Sequence, residues 1–250
     1  MAGHSHWANI QRRKGAVDAK KGKMFGKLAR QIIVAARQGG GDPEMNLQLK
    51  YAIDKAKAVS MPKDNIERAV KRGTGELGGE QLESMMYEAI GPGGVFILME
   101  ILTDNRNRTA PEVRKILERK DARMGSVAWA FEQKGMISVP AEGTDEDALL
   151  EAVLEAGGEE MERVGDTFQV TTAPTELDKV RSVLQEKEIP IEAAELTQMP
   201  TNPNPVDVET GKKVIELLEM LEDHDDVQNV YSNVELPEDL LKEAASATEG

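Results

Sequence analysis

The hydrophobic period of this chain first changes abruptly at residues 74–79, TGELGG. Before them apolar side chains recur every three to four positions; beyond them strand-like alternating runs and short apolar blocks appear, interspersed with further helical stretches. A chain of 250 residues with that switch folds as a helical part followed by a part built on sheets. Phe25, Leu28, Ile32 and Ala36 predict a first helix over residues 16–38, ended by Gly39, Gly40 and Gly41. Asp42 and Pro43 read as the N-cap and first-turn proline of a second helix, with Leu49, Ala52, Ile53 and Ala56 inward. Met61-Pro62 breaks the chain again. A third helix over 63–72 puts Ile66, Ala69 and Val70 inside and ends at Gly73.

Past the hinge, residues 85–89 and 95–102 read as strands around the turn Gly91-Pro92-Gly93-Gly94. The next segment, TDNRNRTAPEVRKILERK, becomes a helix with Thr109 as candidate cap and Val113, Ile116 and Leu117 inward; residues 126–132 return to strand character. From residue 134 the order is strand, helix (145–156), strand (160–164), strand (167–172), helix (175–187), strand (191–199), which is a split βαβ, ferredoxin-like unit. After the connector TNPNPVD, a helix over 205–222 and one further strand cannot make a core alone, so they are expected to return to the sheet of residues 80–132. The predicted architecture is multidomain α+β. A three-helix domain with an N-terminal arm (1–78) precedes a discontinuous middle α/β domain (79–133 plus 205–250), and an acidic ferredoxin-like domain (134–204) is inserted in the latter.

Charge divides the chain at nearly the same point. Residues 1–75 carry 16 Lys and Arg against 6 Asp and Glu, a net of +10, while the rest carries 15 against 39, a net of −24. A cationic module joined to anionic ones attracts a polyanion on one side and repels it elsewhere. The candidate phosphate contacts are Arg12, Arg13, Lys14, Lys20, Lys21, Lys23 and Lys27, followed by Lys55, Lys57, Lys63, Arg68, Lys71 and Arg72. Trp7 either docks on nucleic acid with the basic cluster or pins the arm to the first helix. Seven such contacts on B-DNA would give a slope of log K against log salt of about −6. In the cluster 104–109, DNRNRT, Arg106 and Arg108 form a candidate secondary phosphate site at a helix N-terminus, or else hold Asp104 and the turn in place. The carboxylates Glu142, Asp145, Glu146, Asp147, Glu151, Glu155, Glu159, Glu160 and Glu162 read as a solvated face rather than a metal or substrate site.

Several function classes are disfavoured. No Cys means no disulfide and no thiolate metal site, compatible with a reducing cytoplasm. No stretch resembles a membrane span. Three His, no P-loop and no dinucleotide fingerprint argue against an enzyme and call for no cofactor or metal. Aromatics at 4% leave little material for stacking bases.

The strings AGHSHWANI, ARQGGGDP, MPKDNIERAVKRGTGE, LTDNRNRTAPEVR and GSVAWAFEQKG resemble the YebC/PmpR family, to which the mitochondrial translational activator of cytochrome oxidase subunit one also belongs. The similarity runs over nearly the whole chain and is densest in residues 2–76 and 91–135. It implies a helical first domain and two α/β domains in a cytoplasmic protein, usually a DNA-binding transcriptional regulator. Some relatives are instead ribosome-associated factors that help translation through difficult sequences such as proline runs, which makes ribosomal RNA the alternative partner. The acidic domains are candidates for holding protein partners or restraining the basic one. His6 stands where the family generally has Lys, and residues 120–125, KDARMG, are shorter than the expected glycine-rich loop, so no role is carried over to that loop.

Overall fold

The structure is a computed structural model and describes residues 18–78, 82–237 and 239–240, with side chains from residue 22 onward. Three helices come first: α1 (Asp18–Gly39), α2 (Leu47–Ala58) and α3 (Lys63–Gly73). Leu28, Ile32 and Ala36 of α1 meet Leu49, Ile53 and Ala56 of α2 and Ile66 and Ala69 of α3 in one buried core. Gly73 is the last residue of α3 because it lies against α1: a β-carbon there would stand 2.5 Å from the Ile33 carbonyl oxygen and 2.6 Å from the Ala36 β-carbon.

The second helix does not begin at Asp42-Pro43. Those residues close a turn in which Asp42 accepts from the Glu44 and Met45 amides, and Asn46 is the N-cap, its side-chain oxygen 3.1 Å from the Leu49 amide. Asn46 also donates to the Ala35 and Gly40 carbonyls at 2.7 and 2.8 Å. One buried amide thus starts α2 and ties off the end of α1, which an Asp could not do because it has no donor.

The middle part is a four-stranded sheet in the order β3-β1-β2-β9, built from β1 (Glu83–Ile90), β2 (Phe96–Thr103), β3 (Arg123–Met124) and β9 (Val227–Ser232). Helices α4 (Arg106–Arg119) and α7 (Val208–Glu222) cover one face, burying Ile97, Met99 and Ile101 against Val113, Leu117, Val214 and Leu218. The N-cap of α4 is Asn105, which accepts from the amides of Asn107 and Arg108, rather than Thr109. Thr109 is buried inside the helix and bonds Thr103 and Asp226. Helix α7 starts at Val208 under Asp207, because Asn204 and Pro205 are drawn off as β8 (Asn204–Pro205) to pair in parallel with β10 (Val234–Glu235).

The expected strand 126–132 is broken by a 3-10 turn, Ala128–Ala130, and only Phe131 and Glu132 at its end are strand. Glu88 on β1 accepts from the Val127 and Ala128 amides at 2.5 and 2.7 Å, and amides spent there cannot enter a ladder. The strand that follows, β4 (Phe131–Pro140), is continuous through residue 134 and heads the ferredoxin-like unit. With β5 (Glu160–Val164), β6 (Thr167–Thr172) and β7 (Ala193–Pro200) it forms an antiparallel sheet of order β5-β6-β4-β7. Helices α5 (Glu146–Ala156) and α6 (Leu177–Glu186) cover it with Leu149, Val153, Val180 and Leu184. The unit enters through β4 and leaves through its neighbour β7, and Thr201 closes the neck by donating its amide to the Ala130 carbonyl at 2.9 Å. The fold is therefore multidomain α+β, with a ferredoxin-like unit inserted between the strands of a second α/β layer.

Candidate nucleic-acid interface

The cations of the helical domain fall into three groups, set by the helix that carries them. On α1, Lys23, Lys27 and Arg30 lie on one ridge at i, i+4 and i+7. The ridge abuts loop 222–226, the chain Glu222-Asp223-His224-Asp225-Asp226 that joins α7 to β9. Lys23 reaches the Asp223 carboxylate at 3.2 Å, Lys27 donates to the Glu222 carbonyl, and Arg30 donates to the Asp225 carbonyl at 2.6 Å and to Asp226 at 3.0 Å. Burial lowers the pKa of the Lys27 ammonium, and the nearby Glu222, Asp225 and Asp223 only partly counter it. Two residues read as phosphate contacts, Lys23 and Lys27, are thus turned onto the chain's own acidic loop.

Asp226 anchors that loop. It is 2% exposed and collects Thr103, Arg108 and Thr109 at 3.1, 2.8 and 2.7 Å on one carboxylate oxygen, with Arg30 on the other. Burial raises its pKa, but the bonds from Arg108, Thr109 and Thr103 and the Arg108 charge outweigh this and hold it below the usual carboxylate range. Arg108 also pairs with Asp104 at 2.9 Å, and these bonds, Asp226 first, raise its own pKa. Of the two readings of the 104–109 cluster, Arg108 takes the structural one, whereas Arg106 is exposed at the first position of α4.

The second group faces the inserted domain. Lys55 on α2 pairs with Glu195 on β7 at 2.8 Å. Asp54 pairs with Arg181 on α6 at 3.2 Å, the Arg181 guanidinium lies 5.5 Å from the Tyr51 ring centroid, and the Tyr51 hydroxyl donates to Asp178. Burial and that bond to Asp178 raise the Tyr51 pKa. Lys57 is exposed, with Asp54 at the 4.0 Å limit of an ion pair.

The third group is on α3. Arg68, Lys71 and Arg72 stand at i, i+3 and i+4, opposite the buried Ile66, Ala69 and Gly73. All three are exposed and make no ion pair or side-chain hydrogen bond with a described residue. Lys63, one turn earlier, is 87% exposed and meets only Glu67, at 3.5 Å. Trp7, Arg12, Arg13 and Lys14 lie outside the described residues, as do the side chains of Lys20 and Lys21.

Among the described residues, no group of His, Asp and Glu is arranged to hold a metal ion. The acidic carboxylates of the inserted domain are mostly exposed; Glu155 and Glu159 pair with Lys187 and Lys134. No described helix is long and apolar enough to cross a membrane. Sequence reasoning missed Arg30 and loop 222–226. Their signal was present as three cations in helical register on α1 and four carboxylates within five residues, but nothing local shows that the two meet across nearly 200 positions.

Residues 5–76 match the N-terminal domain of the TACO1/YebC protein, and residues 82–234 match the TACO1/YebC second and third domain. The chain belongs to the TACO1/YebC family. It is 48% identical over 248 residues to a "probable transcriptional regulatory protein" of Natranaerobius thermophilus, covering 97% of this chain and 99% of that relative. A relative of the same name from Thermobifida fusca is 51% identical over 245 residues, covering 96% and 98%. The crystal structure of a conserved hypothetical protein from Aquifex aeolicus superposes with a TM-score of 0.83 at 45% identity, covering 89% of this chain and 93% of that one.

Proposed function

We propose that this TACO1/YebC family member is a cytoplasmic, non-enzymatic regulator that binds DNA through the outer face of α3, assisted by the basic arm. The observation that carries the reading is that Arg68, Lys71 and Arg72 share a helix face on the most cationic domain, while α1 and α2 are docked on acidic ones. Three cations in one stripe that pair with no described residue can neutralise successive phosphates, which positions a protein without reading bases. Lys63 and Lys57 add exposed cations to the same domain, and their exposed ion pairs cost little to exchange for phosphate.

The test is fluorescence anisotropy of a short labelled duplex against salt. Arg68→Gln, Lys71→Gln and Arg72→Gln together should weaken binding at low salt and make the slope of log K against log salt shallower by about 3, roughly 0.9 per lost contact. Unchanged affinity and slope in the triple variant would reject the α3 face. Running structured ribosomal RNA beside the duplex decides the partner. Tighter binding to RNA, and migration of the protein with ribosomal particles through sucrose, would replace DNA with the ribosome on the same surface.

A further inference from the structure

We propose that the Lys23–Lys27–Arg30 ridge of α1 is a second polyanion-binding surface, which the chain's own loop 222–226 occupies in competition with nucleic acid. This rests on the reading that the chain binds a phosphate chain through α3, and adds a self-masking element to it.

The ridge spans eight residues, about 10 Å of helix, and every group it binds is an oxygen with negative or partial negative charge. Three are main-chain carbonyls, of Glu222, Asp223 and Asp225, and two are the carboxylates of Asp223 and Asp226. Such an array of acceptors is what a run of phosphate oxygens offers, and charge-assisted bonds to phosphate are stronger than bonds to neutral carbonyls. A polyanion reaching the ridge therefore replaces three weak acceptors with strong ones.

The loop can leave without stranding a buried charge on its own side. Asp226 keeps Thr103, Thr109 and Arg108, all from the middle domain, on the oxygen that Arg30 does not use. The loop's shape does not depend on α1 either. Its backbone is held by the Asp223 amide on the Glu219 carbonyl, the His224 amide on Leu221 and the Val227 amide on His224, and the His224 ring sits between Glu112 and the Asp226 amide. The outermost pair, Lys23 with Asp223, is 48% and 69% exposed, so water and salt already contest it. Lys27 already carries a desolvation cost under the loop, and a phosphate in place of the Glu222 carbonyl gives its ammonium a full counter-charge.

The experiment uses the full chain, a short labelled duplex and a potassium chloride series. Asp223→Asn with Asp225→Asn removes two of the loop's four carboxylates and leaves Glu222 and Asp226 in place. The expected result is about tenfold tighter binding and a slope steeper by about 2, as two further phosphate contacts form. Glu142→Gln with Glu151→Gln removes the same charge from the inserted domain and should change affinity less than twofold and the slope not at all. Adding Lys23→Gln and Lys27→Gln to the loop variant should return both quantities to those of the unaltered chain. A loop variant indistinguishable from the Glu142/Glu151 control overturns the proposal. If that happens while the α3 triple variant loses binding, the α3 surface stands alone; if the loop variant gains affinity while the α3 triple variant loses none, the α3 reading fails instead.

Discussion

At the scale of single residues, Asp226 decides the most. It is the one acidic side chain buried below a tenth exposure among the described residues, and four side chains from three elements converge on it. Replacing it with Ala leaves Arg108 and two buried hydroxyls short of a partner, and the expected loss is about 3–5 kcal/mol in urea unfolding. Its depressed pKa sets the pH dependence. Because the unfolded carboxylate holds its proton to higher pH than the folded one, Asp226 stabilises the fold above the unfolded pKa, and that stabilisation is lost as pH falls through the folded value. The acid limb of stability below about pH 4 should therefore flatten in Asp226→Asn, read by unfolding midpoints across that range.

At the scale of elements, the helix ends show where local sequence is a sufficient guide. Asp145 is an N-cap with a short side chain ahead of an apolar stripe, and α5 starts behind it as read, whereas α7 starts behind Asp207, three residues later than its expected start at 205. Asn46 and Asn105 were passed over for Asp42 and Thr109, because choosing among several good caps in a row depends on what each side chain reaches across the fold. The C-terminal ends mislead differently. Helix α2 closes through Ser60 at φ 60°, with the Met61 amide on the Ala56 carbonyl and the Ser60 amide on Lys57, a left-handed stop without glycine. Ser60→Gly should raise stability by about 0.5–1 kcal/mol, seen as a higher melting temperature, because glycine carries no β-carbon penalty there. Gly73→Ala should do the opposite, costing about 1–3 kcal/mol as α3 is pushed off the Ile33 carbonyl. The helical periods, strand runs and inserted ferredoxin-like order were legible because each follows from side-chain spacing. Strand 126–132 was not, since the Glu88 carboxylate that captures its amides comes from 39 and 40 positions away. The candidate site was legible as a domain-wide excess of cations. Which of them stay free was not, because that is settled by contacts such as Lys27 with Glu222 and Lys55 with Glu195, 195 and 140 positions apart.

At the scale of the whole molecule, the basic domain is held on two sides by acidic ones. One dock is loop 222–226 on α1; the other is α2 on the inserted domain, through Lys55–Glu195, Asp54–Arg181 and Tyr51 under Arg181. A double-mutant cycle of Arg181→Ala with Tyr51→Ala should give a coupling of about 0.5–1 kcal/mol, since each removes one side of the guanidinium–ring stack. Among the described residues, cations of α1 and α2 are folded against acidic partners, while Arg68, Lys71 and Arg72 of α3 stay outward. The neck of the inserted unit has a practical consequence. Since β4 and β7 leave and rejoin the middle layer side by side, stapled by Thr201 on Ala130, the chain joins the inserted unit to the parent sheet through two adjacent strands. That junction is a ready socket: another compact module whose ends lie one strand width apart could be grafted there, with β1, β2 and β9 left in register.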